Sequence, residues 1–159
     1  MTRFFDLDEA NAALPEVRAI LESLRDERGE LIRLRDEVLL HRSSTEAPAS
    51  HPTEANVGAP SRQTDPTADP ANDPTAGDAE VRVLRLRMQG VIDRMQAGVA
   101  RIDALGVTLR EIETGLIDFP AIASGRQIWL CGRLGEGDIE FWHELGDGFG
   151  GRQPLAELT

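Results

Sequence analysis

The stretch GLIDFPAIASGRQIWLCGRLGEGDIEFWHELGDGFGGRQPL, residues 115–155, decides the fold of this chain. Two apolar runs within it, residues 116–121 and 127–134, are joined by a linker that contains a Ser-Gly pair. This pattern is typical of a β-hairpin. Pro120 has no backbone N–H to donate to a strand ladder, which predicts that the first strand lies at an edge of the sheet.

Further strands are predicted on both sides of the hairpin. The run 107–109 indicates the start of a short strand, and the alternating pattern of 139–145 favours a strand over a helix. Successive side chains of a strand point to opposite faces, so Trp129 and Cys131 share one face of the second hairpin strand. Both faces of that strand are apolar. We therefore expect the helices to cover one face and another part of the chain to cover the other.

The rest of the chain predicts two long helices. In the first segment, apolar residues recur every seven positions, at Val17, Leu24, Leu31 and Val38. In the second, they alternate at spacings of three and four, at Val81, Leu84, Met88, Val91, Met95, Gly98, Ile102 and Leu105. Such stripes favour a long antiparallel, coiled-coil-like helical hairpin. The predicted fold class is α+β, with a small antiparallel β element at the C-terminal end.

Local signals mark where the helices begin and end. Asp6 and Glu9 have the spacing of a reciprocal helix cap. Pro15 fits the first turn of a second, longer helix, because the N–H groups of the first helical residues have no acceptor within the helix. Gly106 is expected to terminate the helix that precedes the strands.

We divide the chain into four parts of one domain. Residues 1–42 are the N-terminal helices, 43–79 a loop, 80–106 the second helix of the hairpin and 107–159 a β-rich cap. The loop is acidic, contains six prolines and has almost no apolar residue besides alanine. A segment of this composition cannot bury enough apolar surface to offset its conformational entropy, so we expect it to be disordered.

The composition excludes several classes of function. The formal net charge of the 159 residues is −11, which disfavours nucleic acid and anionic membranes as partners. All 17 basic residues are arginine, a bias typical of a GC-rich bacterial genome. The sequence has neither an apolar signal segment nor a membrane span. The one cysteine suits a reducing compartment, so we expect a cytoplasmic protein.

A metal site is the sharpest chemical hypothesis. Cys131 and His143 lie close together in the strand region, with Glu136 and Glu144 as nearby carboxylates. A thiolate, an imidazole and a carboxylate can hold zinc or iron and leave a position open for water. The competing interpretation is that no cofactor is bound and that Cys131 is a small buried apolar residue.

Acid–base chemistry is a second hypothesis. Histidine is the usual acid–base residue at neutral pH, and His143 can be oriented by Glu144, Glu140 or Asp118. Glu144 is poorly placed if this segment is a strand, because adjacent side chains point to opposite faces. Asp118 lies between apolar residues, and Arg126 or Arg133 is its expected partner across the strands.

A non-catalytic, self-associating interaction module is the leading hypothesis. The apolar stripe of the first helix is only half filled, which favours a homodimer through the helical hairpin. Phe141, Trp142 and Phe149 are expected to be exposed, as aromatic residues of an interface often are. Arg126, Arg133 and Arg152 either clasp a small anion or bridge the neighbouring acids Asp118, Glu136, Glu140 and Asp147.

Five blocks of the sequence carry a resemblance to a known family. These are FDLDEANAALPEV, GLIDFPA, GRQIWLCGRLGE, FWHEL and GRQPL, in this order. Together they resemble the bacterial and archaeal family DUF2203, over nearly all of the chain except the proline-rich segment. The resemblance implies a small soluble cytoplasmic protein with no established activity. It supports the fold boundaries and assigns no reaction.

Overall fold

The computed structural model describes residues 1–45 and 74–158. Two helices, α1 (Leu7–Thr45) and α2 (Pro74–Ala104), precede a five-stranded antiparallel sheet, and this confirms the α+β class. The strands follow one another in chain order, as β1 (Thr108–Glu111), β2 (Leu116–Ala123), β3 (Arg126–Arg133), β4 (Phe141–His143) and β5 (Gln153–Pro154).

The predicted disordered loop lies largely outside the described residues. At its two ends the structure is helical, because α1 continues to Thr45 and α2 already begins at Pro74. None of the helices in the described part of the chain is both long and apolar enough to cross a membrane.

The start of α1 confirms the predicted cap, whereas the predicted second start at Pro15 is wrong. The N–H of Glu9 donates to Asp6 Oδ1 over 2.8 Å, and the N–H of Asp6 donates to Glu9 Oε2 over 3.0 Å. Pro15 lies inside the uninterrupted helix. A proline inside a helix costs about 3 kcal/mol. Burial of the adjacent Leu14 and of Val17 in the core offsets that cost.

Gly106 ends α2 as predicted. Its φ of +83° lies in the left-handed region, which glycine adopts without steric cost. The N–H of Gly106 donates to the Asp103 carbonyl over 2.9 Å, and the N–H of Val107 donates to the Ile102 carbonyl over 3.3 Å. These two bonds form a Schellman motif, which turns the chain from α2 into β1.

The chain contains two compact units, one formed by Met1–Leu31 and Gly90–Thr159 and the other by Ile32–Gln89. The first unit holds the sheet and the parts of both helices that pack against it. The second consists, in the described residues, of the remaining parts of α1 and α2.

The helices run antiparallel within the first unit. Arg101 pairs with Glu16 at 3.8 Å. Gly98 lies so close to Leu24 that an added Cβ would come within 2.9 Å of its Cδ2 atom. The glycine therefore permits a close approach of the two helices.

One face of the sheet, here called the inner face, builds the core with the helices. Phe119 is fully buried, and its ring meets that of Phe5 edge to face at 5.1 Å between centroids. The other buried residues of this face are Ile117, Ala121, Ile128, Leu130 and Trp142. They pack against helix residues that include Val17, Leu24 and Ile102.

The predicted hairpin is confirmed as β2 and β3. Its turn consists of Ser124 and Gly125, which have φ values of +50° and +74°. Two consecutive positive φ angles are the signature of a type I′ turn, whose twist matches that of the strands. The turn thereby fixes the register of β2 against β3.

The prediction that β2 is an edge strand is wrong. β2 pairs with β3 on one side and with β1 on the other. However, β1 pairs only with the first residues of β2, between Leu116 and Asp118, so Pro120 lies beyond its end. The Pro120 carbonyl instead accepts the N–H of Phe5 over 2.7 Å. The missing N–H of Pro120 therefore removes no bond of the ladder.

The connection from β3 to β4 is tied to α1. Asn11 Oδ1 accepts the N–H of Ile139 over 2.8 Å, and Arg18 donates to the carbonyl oxygens of Glu136 and Gly137. These contacts hold the start of β4 and thereby place His143 at its end.

Candidate metal centre

The strand register brings three polar residues together on the outer face of the sheet. Asp118 of β2 lies opposite Cys131 of β3, and Trp129 of β3 lies opposite His143 of β4. Because side chains alternate along a strand, Asp118, Cys131 and His143 all point away from the inner face. Their exposed fractions are only 2%, 1% and 2%, respectively.

These three side chains form a compact cluster of potential metal ligands. A carboxylate oxygen of Asp118, the Sγ of Cys131 and a ring nitrogen of His143 all lie within 4.8 Å of one another. The structure thus brings together Cys131 and His143, the two residues at the centre of the metal hypothesis. The carboxylate beside them belongs to Asp118 rather than to Glu136 or Glu144.

Both ring nitrogens of His143 face oxygen atoms. Nδ1 lies 2.9 Å from the carbonyl oxygen of Glu144, and Nε2 lies 3.0 Å from Asp118 Oδ1. A carbonyl oxygen and a carboxylate oxygen are both acceptors, whereas a neutral imidazole has only one N–H. A further proton between Nε2 and Oδ1, or a metal ion at Nε2, therefore completes the arrangement.

Arg110 holds the second oxygen of the Asp118 carboxylate. Its Nε donates to Oδ2 over 2.7 Å, and its guanidinium lies over the ring of Trp129 at 4.8 Å from the centroid. The prediction that Arg126 or Arg133 pairs with Asp118 is therefore wrong. Arg110 reaches Asp118 because it lies on β1, two residues from the Thr108 that pairs with Asp118.

Burial, the negative charge of Asp118 and a hydrogen bond to Asp118 together raise the pKa of the Cys131 thiol to about 12, and burial has the largest effect. The thiol of the metal-free protein is therefore protonated at neutral pH. A nearby cation is required before the thiolate can form, which makes Cys131 a poor nucleophile by itself and a competent ligand for a metal ion.

Cys131 of metal-free protein is expected to react with iodoacetamide far more slowly than an unfolded thiol. In the folded protein, the rate should keep rising with pH beyond 9, because the thiolate fraction grows until the pH reaches a pKa of about 12. In urea, the rate should level off near the ordinary thiol value of 9.0. A folded-state profile that levels off at the same pH as the unfolded one would contradict the raised pKa.

A cavity of about 240 Å³ adjoins the cluster. The segment after β4 forms one wall of it, with Leu145, Asp147, Gly148 and Phe149. Arg110 and Leu116 form the opposite part of the lining. Because both faces of β3 are apolar, a part of the chain other than the helices was expected to cover its outer face. This glycine-rich segment is that part, and it encloses the polar cluster.

Glu136 is engaged by arginines outside the cluster. Arg152 donates to both of its carboxylate oxygens, over 2.9 and 2.8 Å, and Arg133 lies 3.7 Å away. The Arg152 guanidinium also lies over the ring of Phe141 at 4.1 Å and that of Phe149 at 4.8 Å. This clasp fixes the segment that covers the cavity.

Glu144 also lies apart from the cluster. Its carboxylate accepts hydrogen bonds from Nε and Nη2 of Arg126, the shortest over 2.9 Å. Of the three acids considered as partners for His143, the structure places only Asp118 at its ring. Arg126, Arg133 and Arg152 do pair with acids, but of the four predicted acids only Glu136 is among these partners, and Arg126 binds Glu144 instead.

The aromatic residues do not form the exposed group expected of an interface. Trp142 is 3% exposed and belongs to the inner face, Phe141 is half-buried, and Phe149 is 44% exposed. Trp129 is half-buried on the outer face, beneath Arg110.

Arg110 is the site residue that the sequence interpretation missed. Its only sequence signal is its position directly after the predicted strand start at 107–109. With Arg110 included, the site consists of three buried ligand-type side chains, one arginine and a small cavity. A site of this kind on a five-stranded sheet packed against two helices defines a small α+β protein with a candidate transition-metal centre.

The chain matches the family described as Uncharacterized conserved protein (DUF2203) over residues 3–155, and it belongs to that family. This confirms the resemblance seen in the five sequence blocks. Comparison with curated proteins and with solved structures gave no match. The family description assigns no reaction, so the argument for a function rests on the site.

Proposed function

We propose that this protein binds one divalent transition-metal ion through the Asp118 carboxylate, the Cys131 thiolate and His143 Nε2. The observation that carries the proposal is the convergence of these three buried side chains, whose potential ligand atoms all lie within 4.8 Å of one another. Buried charges and polar groups of this kind are stable when they are paired or coordinate a metal.

The ligand set favours zinc, with iron(II) as the alternative. One sulfur, one nitrogen and one oxygen ligand suit a borderline metal ion. Three protein ligands leave a fourth position of a tetrahedral ion free, and the 240 Å³ cavity provides space beside the cluster for a water molecule or a ligand. An open position is typical of catalytic rather than structural zinc, so a metal-dependent enzyme is favoured over a structural metal site.

Two supporting contacts have the form found around metal ligands. The Nδ1–H of His143 donates to the Glu144 carbonyl, which leaves the lone pair of Nε2 directed at the cluster. Arg110 binds Asp118 Oδ2 and leaves Oδ1 on the side of His143. Such contacts fix the orientation of a ligand before the metal binds, which lowers the entropic cost of binding.

The test is reconstitution with metal. Protein stripped with a chelator is titrated with Zn²⁺ and with Co²⁺, and bound metal is counted by elemental analysis. We expect one ion per chain and, with cobalt, a thiolate-to-metal charge-transfer band in the near ultraviolet. The control variant His41→Ala changes a histidine of the second unit and should bind equally well. Wild-type protein that takes up no more metal than Cys131→Ala would refute the proposal.

We propose as a second candidate that the protein self-associates as a homodimer through its helices. Large apolar side chains are more than half exposed in the described part of the second unit: Leu39, Leu40, Val83 and Leu86. Residues 32–45 and 74–89 carry six arginines and four carboxylates, although the whole chain has a charge of −11. Two copies of an acidic protein repel each other least where the surface is not acidic, so these helix segments favour a second copy as the partner.

Light scattering coupled to size-exclusion chromatography tests the homodimer. Wild-type protein is expected to elute with twice the mass of one chain, and the double variant Leu40→Glu/Val83→Glu as a monomer, because buried charges oppose association. The control Ile122→Glu introduces a negative charge at an exposed position of β2, outside these helix segments, and should remain dimeric. A wild-type monomer at the highest soluble concentration would exclude this candidate.

A further inference from the structure

We infer that the cavity beside the metal centre binds a small carboxylate that carries a second oxygen donor, such as a 2-oxo or 2-hydroxy acid. The carboxylate pairs with Arg110, and the second oxygen occupies the open position of the metal ion. This inference rests on the proposed metal site and names the class of ligand that the site takes.

Arg110 offers an unused hydrogen-bonding edge. Only its Nε has a hydrogen-bond partner within the described part of the chain, namely Asp118, which leaves the N–H groups of Nη1 and Nη2 without one. The side chain is 42% exposed and lines the cavity. A guanidinium edge with two parallel N–H groups is the geometry that binds a carboxylate in a bidentate manner.

Two contacts hold this guanidinium in one plane. The bond to Asp118 fixes its Nε, and the ring of Trp129 lies 4.8 Å beneath its central carbon. The arginine is therefore oriented before a ligand arrives, which reduces the entropy lost on binding. Because Asp118 is also a proposed metal ligand, the guanidinium and the metal ion are neighbours across one carboxylate.

The cavity limits the size of the ligand. Its volume of about 240 Å³ is smaller than the roughly 300–1,000 Å³ of sites for drug-sized molecules. Leu116, Leu145 and Phe149 give the remaining wall an apolar character that suits a short hydrocarbon chain. A carboxylic acid of a few carbon atoms meets both conditions.

The open position of the metal ion makes tight binding depend on the metal. Without the ion, a carboxylate that enters the cavity can use only the free guanidinium edge of Arg110, whose Nε already binds Asp118. With the ion, the second oxygen of the same ligand gains a metal bond as well. Two contacts to one ligand bind it more tightly than either contact alone, so metal-loaded protein is expected to bind the anion more tightly.

The experiment uses oxalate as the probe and acetate, which has no second donor, as its control. Cobalt-loaded protein is titrated with each, and the change in the cobalt absorption spectrum and the heat of binding are measured. Oxalate is expected to bind and to alter the spectrum, and acetate to bind at least tenfold more weakly because it has only one donor group.

Arg110→Met should weaken oxalate binding by roughly 10–100-fold, the loss expected for a charged bidentate contact. Arg101→Met, which removes an exposed arginine of α2 whose partner Glu16 lies on α1 and not in the cavity, should bind oxalate normally.

The metal content of each protein is determined first, which separates the two proposals. Wild-type protein that holds no metal refutes the proposed metal site, and this inference with it. Wild-type protein that holds metal but binds oxalate no better than acetate, or equally well after Arg110→Met, overturns the inference alone. If Arg110→Met releases the metal, the titration is repeated with the variant Arg110→Lys. The lysine ammonium still neutralises Asp118 but has no planar edge for a carboxylate. Equal oxalate affinities of Arg110→Lys and wild type would then overturn it.

Discussion

Replacing Cys131 with alanine, or Asp118 with asparagine, is expected to lower zinc affinity by more than the roughly 10–100-fold that loss of a supporting contact costs. Each variant removes a charged ligand from the cluster, whose three groups lie within 4.8 Å of one another. Two remaining protein ligands hold a divalent ion weakly, because the lost negative charge is not replaced in a buried site. Competition with a chelating zinc indicator measures the affinities.

The other two carboxylates of this region provide matched controls. Glu136→Gln and Glu144→Gln also remove one negative charge each, but these acids bind Arg152 and Arg126 rather than the cluster. Both variants are expected to hold zinc as the wild type does. Equal losses in Asp118→Asn and Glu136→Gln would show that the affinity reflects overall charge rather than ligation, and would contradict the assignment of Asp118.

The largest expected effect on stability comes from Phe119→Ala. The side chain is fully buried on the inner face and meets Phe5 edge to face, so truncation removes a large apolar contact and leaves a cavity. Substitutions of this kind reduce the free energy of unfolding by about 3–5 kcal/mol. Urea unfolding followed by far-ultraviolet circular dichroism measures the change.

The control for this variant lies on the same strand. Ile122 is 54% exposed, so Ile122→Ala is expected to change the free energy of unfolding by less than about 0.5 kcal/mol. The structure would be contradicted if Phe119→Ala proved as mild as Ile122→Ala, because the inner face of β2 would then not be packed against the helices.

Local patterns in the sequence were sufficient to predict the two long helices and the hairpin of β2 and β3. The helical stripes, the helix end at Gly106 and the Ser124-Gly125 turn each depend on residues close together in the chain, and the structure confirms them. The wrong prediction of a second helix start at Pro15 arose because contacts with distant residues outweigh the local pattern. The proline lowers the local propensity for helix, but burial of Leu14 and Val17 against distant residues decides the outcome.

The site could be predicted only in part, because it depends on how separate strands are aligned. Cys131 and His143 stand out by residue type, and both belong to the cluster. The position of Asp118 follows from the register of β2 against β3, and that of Arg110 from the register of β1 against β2. Registers between strands are set by turn geometry and burial together, and one sequence without relatives does not specify them.

The alternation of side chains along β2 restricts how relatives of this protein can differ in length. Leu116 and Asp118 of β2 line the cavity, whereas Ile117, Phe119 and Ala121 belong to the core that the sheet forms with the helices. Loss or gain of a single residue inside the strand would exchange the two sets and place Asp118 among the helices. Insertions and deletions in homologous sequences should therefore be found in the turns and between the helices, and not within β2 or β3.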